Sequence, residues 1–329
     1  MNKDLDEMTK SNQCKVAFVG AGYMATEHIK AFKDIPTVEL AGIYSRSKIS
    51  AEHLARDSNI GAVCDSIDDL YQKSKAQLVV VTVPELASRE VCLEVFKYPW
   101  TCLIEKPAGY NLADSKQILD SAKKHKRSVF VALNRRHYSS TLAVLKDIAK
   151  QQGPRLINVC DQEDPNAAQN AGQPELVVQN WMFANSIHLV DYFSIMGRGE
   201  IVSVDPVIRW TPKNPQFVIA KISYDSGDVG IYEAIWNGPG PWAVTVATQE
   251  KRWEMRPLEQ ATIQNFGSRN LEPVELNDWD TKFKPGLRAQ ADEAVKAVFG
   301  LPHTLPSLDD AMKSMRLVHA IYGGSFSHG

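Results

Sequence analysis

Lys15-Val-Ala-Phe-Val-Gly20-Ala-Gly22-Tyr23-Met24-Ala25, near the start of this 329-residue chain, decides the reading of its first half. Val16, Phe18 and Val19 form a short apolar, β-branched-rich run of the kind that makes a buried strand. Gly20 can take the backbone angles of a tight turn. Gly22 lacks a side chain, so a pyrophosphate can approach the main chain, and Ala25 is small enough for a helix to pack closely on the strand. The free N–H groups and dipole at the helix start favour a phosphate there. Ala25, Ile29 and Phe32 then share one face at helical spacing, and a second strand, Val38 to Tyr44, follows Pro36. This context points to dinucleotide binding rather than to a glycine turn of another α/β fold.

The composition is that of an ordinary globular chain, 44% hydrophobic and 23% charged, long enough for two domains with sizeable cores. The 37 basic and 39 acidic residues leave a net charge of −2, and no Lys/Arg block stands out, so no nucleic-acid partner is expected. Residues 1–13 are polar, without the apolar run of a secretory signal, and read as a loose tail. No apolar stretch reaches the roughly 18 residues of a membrane span. The five cysteines, Cys14, Cys64, Cys92, Cys102 and Cys160, are odd in number, widely spaced and without a Cys-x-x-Cys pair. They read as reduced thiols of a cytoplasmic protein, with no metal site.

Strands and helices alternate to about residue 134. Ser50 to Arg56 starts a helix, and Ser66 caps the next, with Asp68 and Asp69 in its first turn. Leu78 to Val83 is a continuous apolar run, as in a strand covered on both faces. Arg89 to Phe96 reads as helix, Thr101 to Ile104 as strand, Leu112 to Ala122 as helix and Val129 to Leu133 as strand. The alternation predicts a doubly wound parallel sheet over 14–134. The second domain, 135–329, differs. A strand, Arg155 to Cys160, leads into a polar stretch, Asp161 to Gln173, that reads as a mobile loop or a substrate lid. After a helix, Ile187 to Met196, come strands at Val202 to Trp210, Phe217 to Tyr224, Val229 to Trp236, Ala243 to Thr248 and Arg252 to Arg256. Short turns between them predict a large, mostly antiparallel sheet. Six of the seven tryptophans lie here, serving either its core or a subunit interface. Two helices close the chain: one carries the stripe Leu287, Ala291, Ala294, Val295 and Val298. The other, 307–322, starts at Ser307 and is expected to pack back on the first domain.

Four constellations could carry chemistry. At the ribose-reading position past the glycine turn stand Ser45, Arg46 and Ser47. No acidic residue is there to repel a 2′-phosphate, so NADP is favoured over NAD. Glu105-Lys106-Pro107 ends a parallel strand, where ligands of such sheets lie. Lys106 there can stabilise negative charge on a substrate oxygen. His188 is a proton acceptor suited to neutral pH, with Asp191 on the same helix face. Asn134-Arg135-Arg136 and Tyr138 close the first half and suit the nicotinamide end or an anionic substrate.

Taken together, these residues resemble the Gfo/Idh/MocA family, named for glucose–fructose oxidoreductase and inositol dehydrogenase. The similarity runs from about Cys14 to Phe326. It rests on Gly20, Gly22 and Ala25; Glu105-Lys106-Pro107; Asn134 to Arg136; His188 and Asp191; a hairpin over Asp225 to Trp236; and Pro306 to Ala311. The resemblance implies an N-terminal Rossmann domain, a C-terminal α/β domain with a large open sheet, and tightly held NADP or NAD. It further implies a sugar-like or cyclic polyol substrate, and dimers or tetramers formed through the sheet's outer face. Lys106 would contact both the substrate hydroxyl and the nicotinamide ribose, and His188 would be the acid/base. Tyr23, Met24, Val83, Pro84, Glu105, Asn134 and Arg135 join the cofactor set, and Tyr138 and Asn185 the substrate set. Two positions depart from the family pattern. Ala184 replaces an Asp one turn before His188, and Pro84-Glu85-Leu86-Ala87-Ser88 lacks the usual Asn and His. The expected activity is hydride transfer between nicotinamide and a sugar or nucleotide-sugar. The alternatives are a non-catalytic NAD(P)-binding sensor, and a lyase or hydrolase with a closed nicotinamide redox cycle.

Overall fold

In the computed structural model, which describes residues 13–326, the run around Phe18 is an inner strand of a six-stranded parallel sheet. Its strands are β1 (Cys14–Val19), β2 (Val38–Tyr44), β3 (Val63–Cys64), β4 (Leu78–Val81), β5 (Thr101–Ile104) and β6 (Val129–Val131), in the order β3-β2-β1-β4-β5-β6. That order and the uniform parallel pairing make the sheet doubly wound. All four residues of β4 are buried, as its unbroken apolar run requires. Helices α1 (Tyr23–Lys33), α2 (Lys48–Ser58), α3 (Ile67–Ser74), α4 (Glu85–Val95) and α5 (Leu112–His125) make the crossovers. Ser66 caps α3 by accepting from Asp69 N at 3.0 Å. Helix α4 begins four residues before the expected Arg89. Pro84, with φ −54°, sits at its N-cap, and its missing N–H costs nothing there.

The described residues divide into two units, the first being 13–109, 113–134 and 281–310. The sequence reading placed all of 135–329 in one domain, whereas 281–310 groups with the Rossmann sheet. The cause is apolar: Leu287, Ala291, Ala294 and Val295 of α8 (Leu287–Val298) lie in the same buried cluster as Ala25, Ile29 and Phe32. Arg288 Nε adds an ion pair to Asp34 at 2.7 Å, and Val131 N donates to Pro306 O. The helix expected to pack back, α9 (Leu308–Ile321), belongs from Ala311 onward to the second unit. The tail expected over 1–13 lies, up to residue 12, outside the described residues.

The second unit is built on an eight-stranded sheet ordered β14-β13-β12-β11-β7-β10-β9-β8. Its strands are β7 (Leu156–Glu163), β8 (Ile201–Ile208), β9 (Phe217–Tyr224), β10 (Val229–Trp236), β11 (Ala243–Ala247), β12 (Lys251–Met255), β13 (Thr262–Asn265) and β14 (Glu272–Pro273). Every pairing is antiparallel except β7 with β10. Period-two alternation separates the faces. Ile157, Val159, Val218, Ile222, Tyr232, Val244 and Trp253 point inward and are buried, while Leu156, Phe217, Lys221 and Glu233 face outward. Helices α6 (Ser139–Ile148) and α7 (Ile187–Met196) belong to this unit. Gly230 admits α7, since a Cβ there would meet the Phe193 ring at 2.7 Å. Among the tryptophans, Trp236 and Trp253 are core, and Trp210 lies 4.2 Å from Trp236, centroid to centroid.

The loop or lid expected over 161–173 does not form. Strand β7 runs on to Glu163, which pairs with Trp236, and a short helix, Pro165–Asn170, follows with Asp164 Oδ1 accepting from Ala167 N. Asp161 and Glu163 continue the inward alternation of Ile157 and Val159; their polarity concealed the strand.

The turn after β1 packs closely on the chain that follows β4. Gly20 has φ +111°, and a Cβ there would lie 2.3 Å from the Thr82 carbonyl oxygen. Gly20→Ala should destabilise the protein by about 2–4 kcal/mol, combining left-handed strain with overpacking. Denaturant unfolding of the two proteins checks this. A change within error would show that the turn relaxes freely.

Candidate active site

In the first unit, each sequence-predicted cofactor residue follows the carboxyl end of a parallel strand. Gly20 to Ala25 follow β1, Ser45 to Ser47 follow β2, Val83 and Pro84 follow β4, Glu105 and Lys106 follow β5, and Asn134 follows β6. Parallel strands bring these ends to one edge, where doubly wound sheets bind ligands. Gly22 is the N-cap of the 11-residue α1, with no side-chain cap, and a Cβ on it would meet nothing within 4 Å. Uncapped N–H groups facing open space suit a pyrophosphate. The residues present therefore fit a dinucleotide.

The details around this edge differ by residue. Tyr23 is 67% exposed, with Lys284 Nζ 5.4 Å from its ring centroid, Met24 is half-buried and Ala25 is fully buried. Ser47 Oγ is occupied as the cap of α2, accepting from Ser50 N at 3.3 Å, and Lys48 pairs with Asp65. Arg46 is exposed, and half-buried Ser45 stands beside it. Glu105 ties the edge to α1. Its Oε1 meets Nε2 of the buried His28 at 2.7 Å, and its Oε2 accepts from Lys106 N at 3.1 Å. Asn134 is buried with Nδ2 donating to Pro285 O at 3.0 Å, so its amide is partly committed to the fold.

The second unit holds Arg135, Tyr138, Asn185 and His188. His188 is half-buried in the first turn of α7, directly after a π-helical turn, Met182–Ser186, a feature common at functional sites. Asp191, expected beside His188, is committed elsewhere. It takes both Arg136 Nε and Nη2 at 2.7 Å, and Ser314 Oγ at 2.6 Å. Such a bidentate, buried pair is a strong structural tie.

Sequence reasoning missed a buried polar network beneath the π-turn. Glu163 accepts from Asn185 Nδ2 at 2.8 Å and from Ser186 Oγ at 2.7 Å. Ser186 Oγ lies 3.1 Å from the Tyr322 hydroxyl, which lies 2.8 Å from that of Tyr232. Tyr232 in turn donates to Asp161 Oδ2 at 2.7 Å. The signal was the alternation Ile157-x-Val159-x-Asp161-x-Glu163, which aims both carboxyls inward. Burial pushes both carboxyls up, and Glu163 well above the usual range because Asp161 adds like-charge repulsion. Hydrogen bonds from Asn185 and Ser186 pull Glu163 only partly back. Between the unfolded value and the raised folded one, the native state binds more protons than the unfolded state. Stability from these groups is thus fully present below the ordinary Glu pKa and is lost as pH rises. Glu163→Gln should therefore gain thermal stability relative to wild type as pH goes from 5 to 8. A melting-temperature difference that stays flat across that range would contradict the assignment.

Among the described residues, no group of three or more His, Cys, Asp or Glu could hold a metal ion, and no helix is long and apolar enough to cross a membrane. Comparison with known proteins supports the Rossmann reading. Residues 14–133 match the family model described as the oxidoreductase family, NAD-binding Rossmann fold, of Gfo/Idh/MocA. An uncharacterised oxidoreductase of Synechocystis is 22% identical over 122 residues, covering 37% of this chain but only a third of that protein. A 4-carboxy-2-hydroxymuconate-6-semialdehyde dehydrogenase of Sphingobium is 21% identical over 296 residues, 86% of this chain and 90% of that one. In fold, the chain superposes on UDP-N-acetylglucosamine 3-dehydrogenase from Acidithiobacillus ferrooxidans with a TM-score of 0.75 at 16% identity, covering 93% and 95% of the two chains. A levoglucosan dehydrogenase complexed with NADH and levoglucosan gives 0.78 at 16% identity, covering 94% and 96%. Residues 14–133 are thus similar to the NAD-binding Rossmann domain of the Gfo/Idh/MocA oxidoreductases, and the whole chain shares the fold of solved dehydrogenases.

Proposed function

We propose that the protein is an NAD(P)-dependent dehydrogenase or reductase acting on a hydroxyl or ketone of a sugar or nucleotide-sugar. The observation that carries this reading is the convergence of the Gly20–Gly22 turn, Ser45-Arg46 and Glu105-Lys106 on one strand-end edge. Relatives that act on UDP-N-acetylglucosamine and levoglucosan support the sugar class. Gly20, Gly22, Tyr23, Met24 and Ala25 hold the pyrophosphate, with Val83, Pro84, Glu105 and Asn134 along the remainder of the dinucleotide. When bound, the nicotinamide supplies the hydride acceptor or donor. Lys106 donates to the substrate oxygen and stabilises the alkoxide that develops there. His188 takes the hydroxyl proton in the oxidative direction and returns it in the reductive one. Asn185, held by Glu163, and Tyr138 contact the substrate. Lys106→Ala and His188→Ala should each lower turnover about 100-fold or more on a substrate found by screening, with cofactor affinity retained for His188→Ala. Full turnover in both variants would sink the assignment.

NADP is the preferred cofactor in this reading, because exposed Arg46 has no competing partner among the described residues and no carboxylate replaces Ser45. Titration by tryptophan-to-nicotinamide energy transfer tests it. Arg46→Ala should weaken NADPH binding about tenfold or more while leaving NADH nearly unchanged. Equal losses for both would assign Arg46 to the adenine instead.

The assembly is a homodimer or homotetramer formed through the outer face of the eight-stranded sheet, in the cytoplasm. On that face Phe217 is 51% exposed and sits opposite Ile235, with half-buried Ile219 and Ile231 nearby. The five cysteines are all free, four of them buried, consistent with a reducing compartment. Phe217→Glu should shift the mass measured by light scattering toward the monomer. A monomeric wild type would refute the interface.

A further inference from the structure

Arg135 differs from Arg136, Arg155 and Arg198 of the same unit. Arg136 is clamped by Asp191 and Arg198 by Asp228, while Arg155 donates to the carbonyls of Met196 and Ile148. Arg135 instead lays its guanidinium on Trp242, with Cζ 4.3 Å from the ring centroid. Trp242 is itself fixed, its Nε1 donating to Gln162 O at 2.9 Å. Nε and Nη1 of Arg135 are buried and meet no hydrogen-bond partner among the described residues. Its charge is felt by Asp161, which forms no ion pair with it, and the neutral, buried Tyr138 hydroxyl beside it is a polar neighbour. Two guanidinium N–H groups buried without an anionic partner are costly, and a bound anion is one way to complete them. The indole covers one face of the guanidinium; Nε and Nη1 are closed to solvent, and Nη2 lies outside that buried set, so an oxyanion would meet the guanidinium from the Nη2 side.

We propose that Arg135, stacked on Trp242, binds an oxyanion of the substrate, so that the substrate is an acidic or phosphorylated sugar-like molecule rather than a neutral polyol. The inference rests on the sugar-oxidoreductase reading and narrows it. Of the two sides open to Arg135, the nicotinamide end and an anionic substrate, it selects the substrate. The full-length protein, saturated with NADPH, is titrated with glucuronate, glucose 6-phosphate and glucose while thermal unfolding is followed, alongside R135M and R135K. One or both oxyanion sugars should raise the wild-type melting temperature by about 2–4 °C where glucose does nothing. R135M should lose that shift and keep wild-type NADPH affinity, and R135K should keep part of it. A response to glucuronate alone assigns a carboxylate, and to glucose 6-phosphate alone a phosphate. Equal shifts in wild type and R135M, no shift from either oxyanion, or loss of NADPH binding in R135M would overturn the proposal. Failure of wild type to bind either NADPH or NADH would refute the oxidoreductase reading instead, and the same titration without cofactor would still decide the role of Arg135.

Discussion

The close approach of the Gly20 turn to the Thr82 carbonyl is the constraint on which the first unit depends. No side chain fits between them, since a Cβ would lie 2.3 Å from that oxygen. The approach locks the end of β1 against the end of β4, and Thr82 N closes it by donating to Val19 O at 2.8 Å. It also sets where α1 begins, and so where its free N–H groups point. Ala25, Ile29 and Phe32 then bind α1 into the same cluster as α8. His28 carries the chain of constraint on to Glu105 and the backbone of Lys106. The proposed cofactor edge and the proposed catalytic lysine are thus held by one continuous set of contacts.

The second unit is organised by a different economy, that of buried polarity. Its sheet points Asp161 and Glu163 into the interior, where only hydrogen bonds from Asn185, Ser186 and Tyr232 make them tolerable. Those bonds hold the π-helical turn that precedes His188. Ala184 leaves the helix without a carboxylate one turn before His188, and Asp191 is spent on Arg136. The acid of this region therefore comes from the strand rather than the helix. Arg135 is the complementary anomaly, a cation without its anion.

Much of this was legible in the sequence, for identifiable reasons. The parallel sheet was readable because Leu78 to Val81 and Val16 to Val19 are apolar on both faces, which a half-exposed strand would not tolerate. The closing hairpins were readable from alternation and turn residues. Residues 161–173 were misread because polar identity outweighed period: Asp161 and Glu163 look like loop residues unless counted in step with Ile157 and Val159. The return of 281–310 to the first unit was not legible, because the stripe from Leu287 to Val295 says that a helix is buried but not against what. The occupancy of Asp191 by Arg136 was hidden for the same reason, since both candidates appeared as separate motif residues 55 positions apart. The strand-end placement of Lys106, by contrast, followed directly from the local pattern.

The central claim is that a dinucleotide sits on the Gly20 turn and the start of α1. Hydrogen–deuterium exchange of the full-length protein, with and without NADPH, tests it residue by residue. Strong added protection is expected in peptides spanning 20–26, 45–48, 83–85, 105–107 and 134, and little elsewhere. Unchanged exchange over 20–26 at saturating NADPH would contradict it.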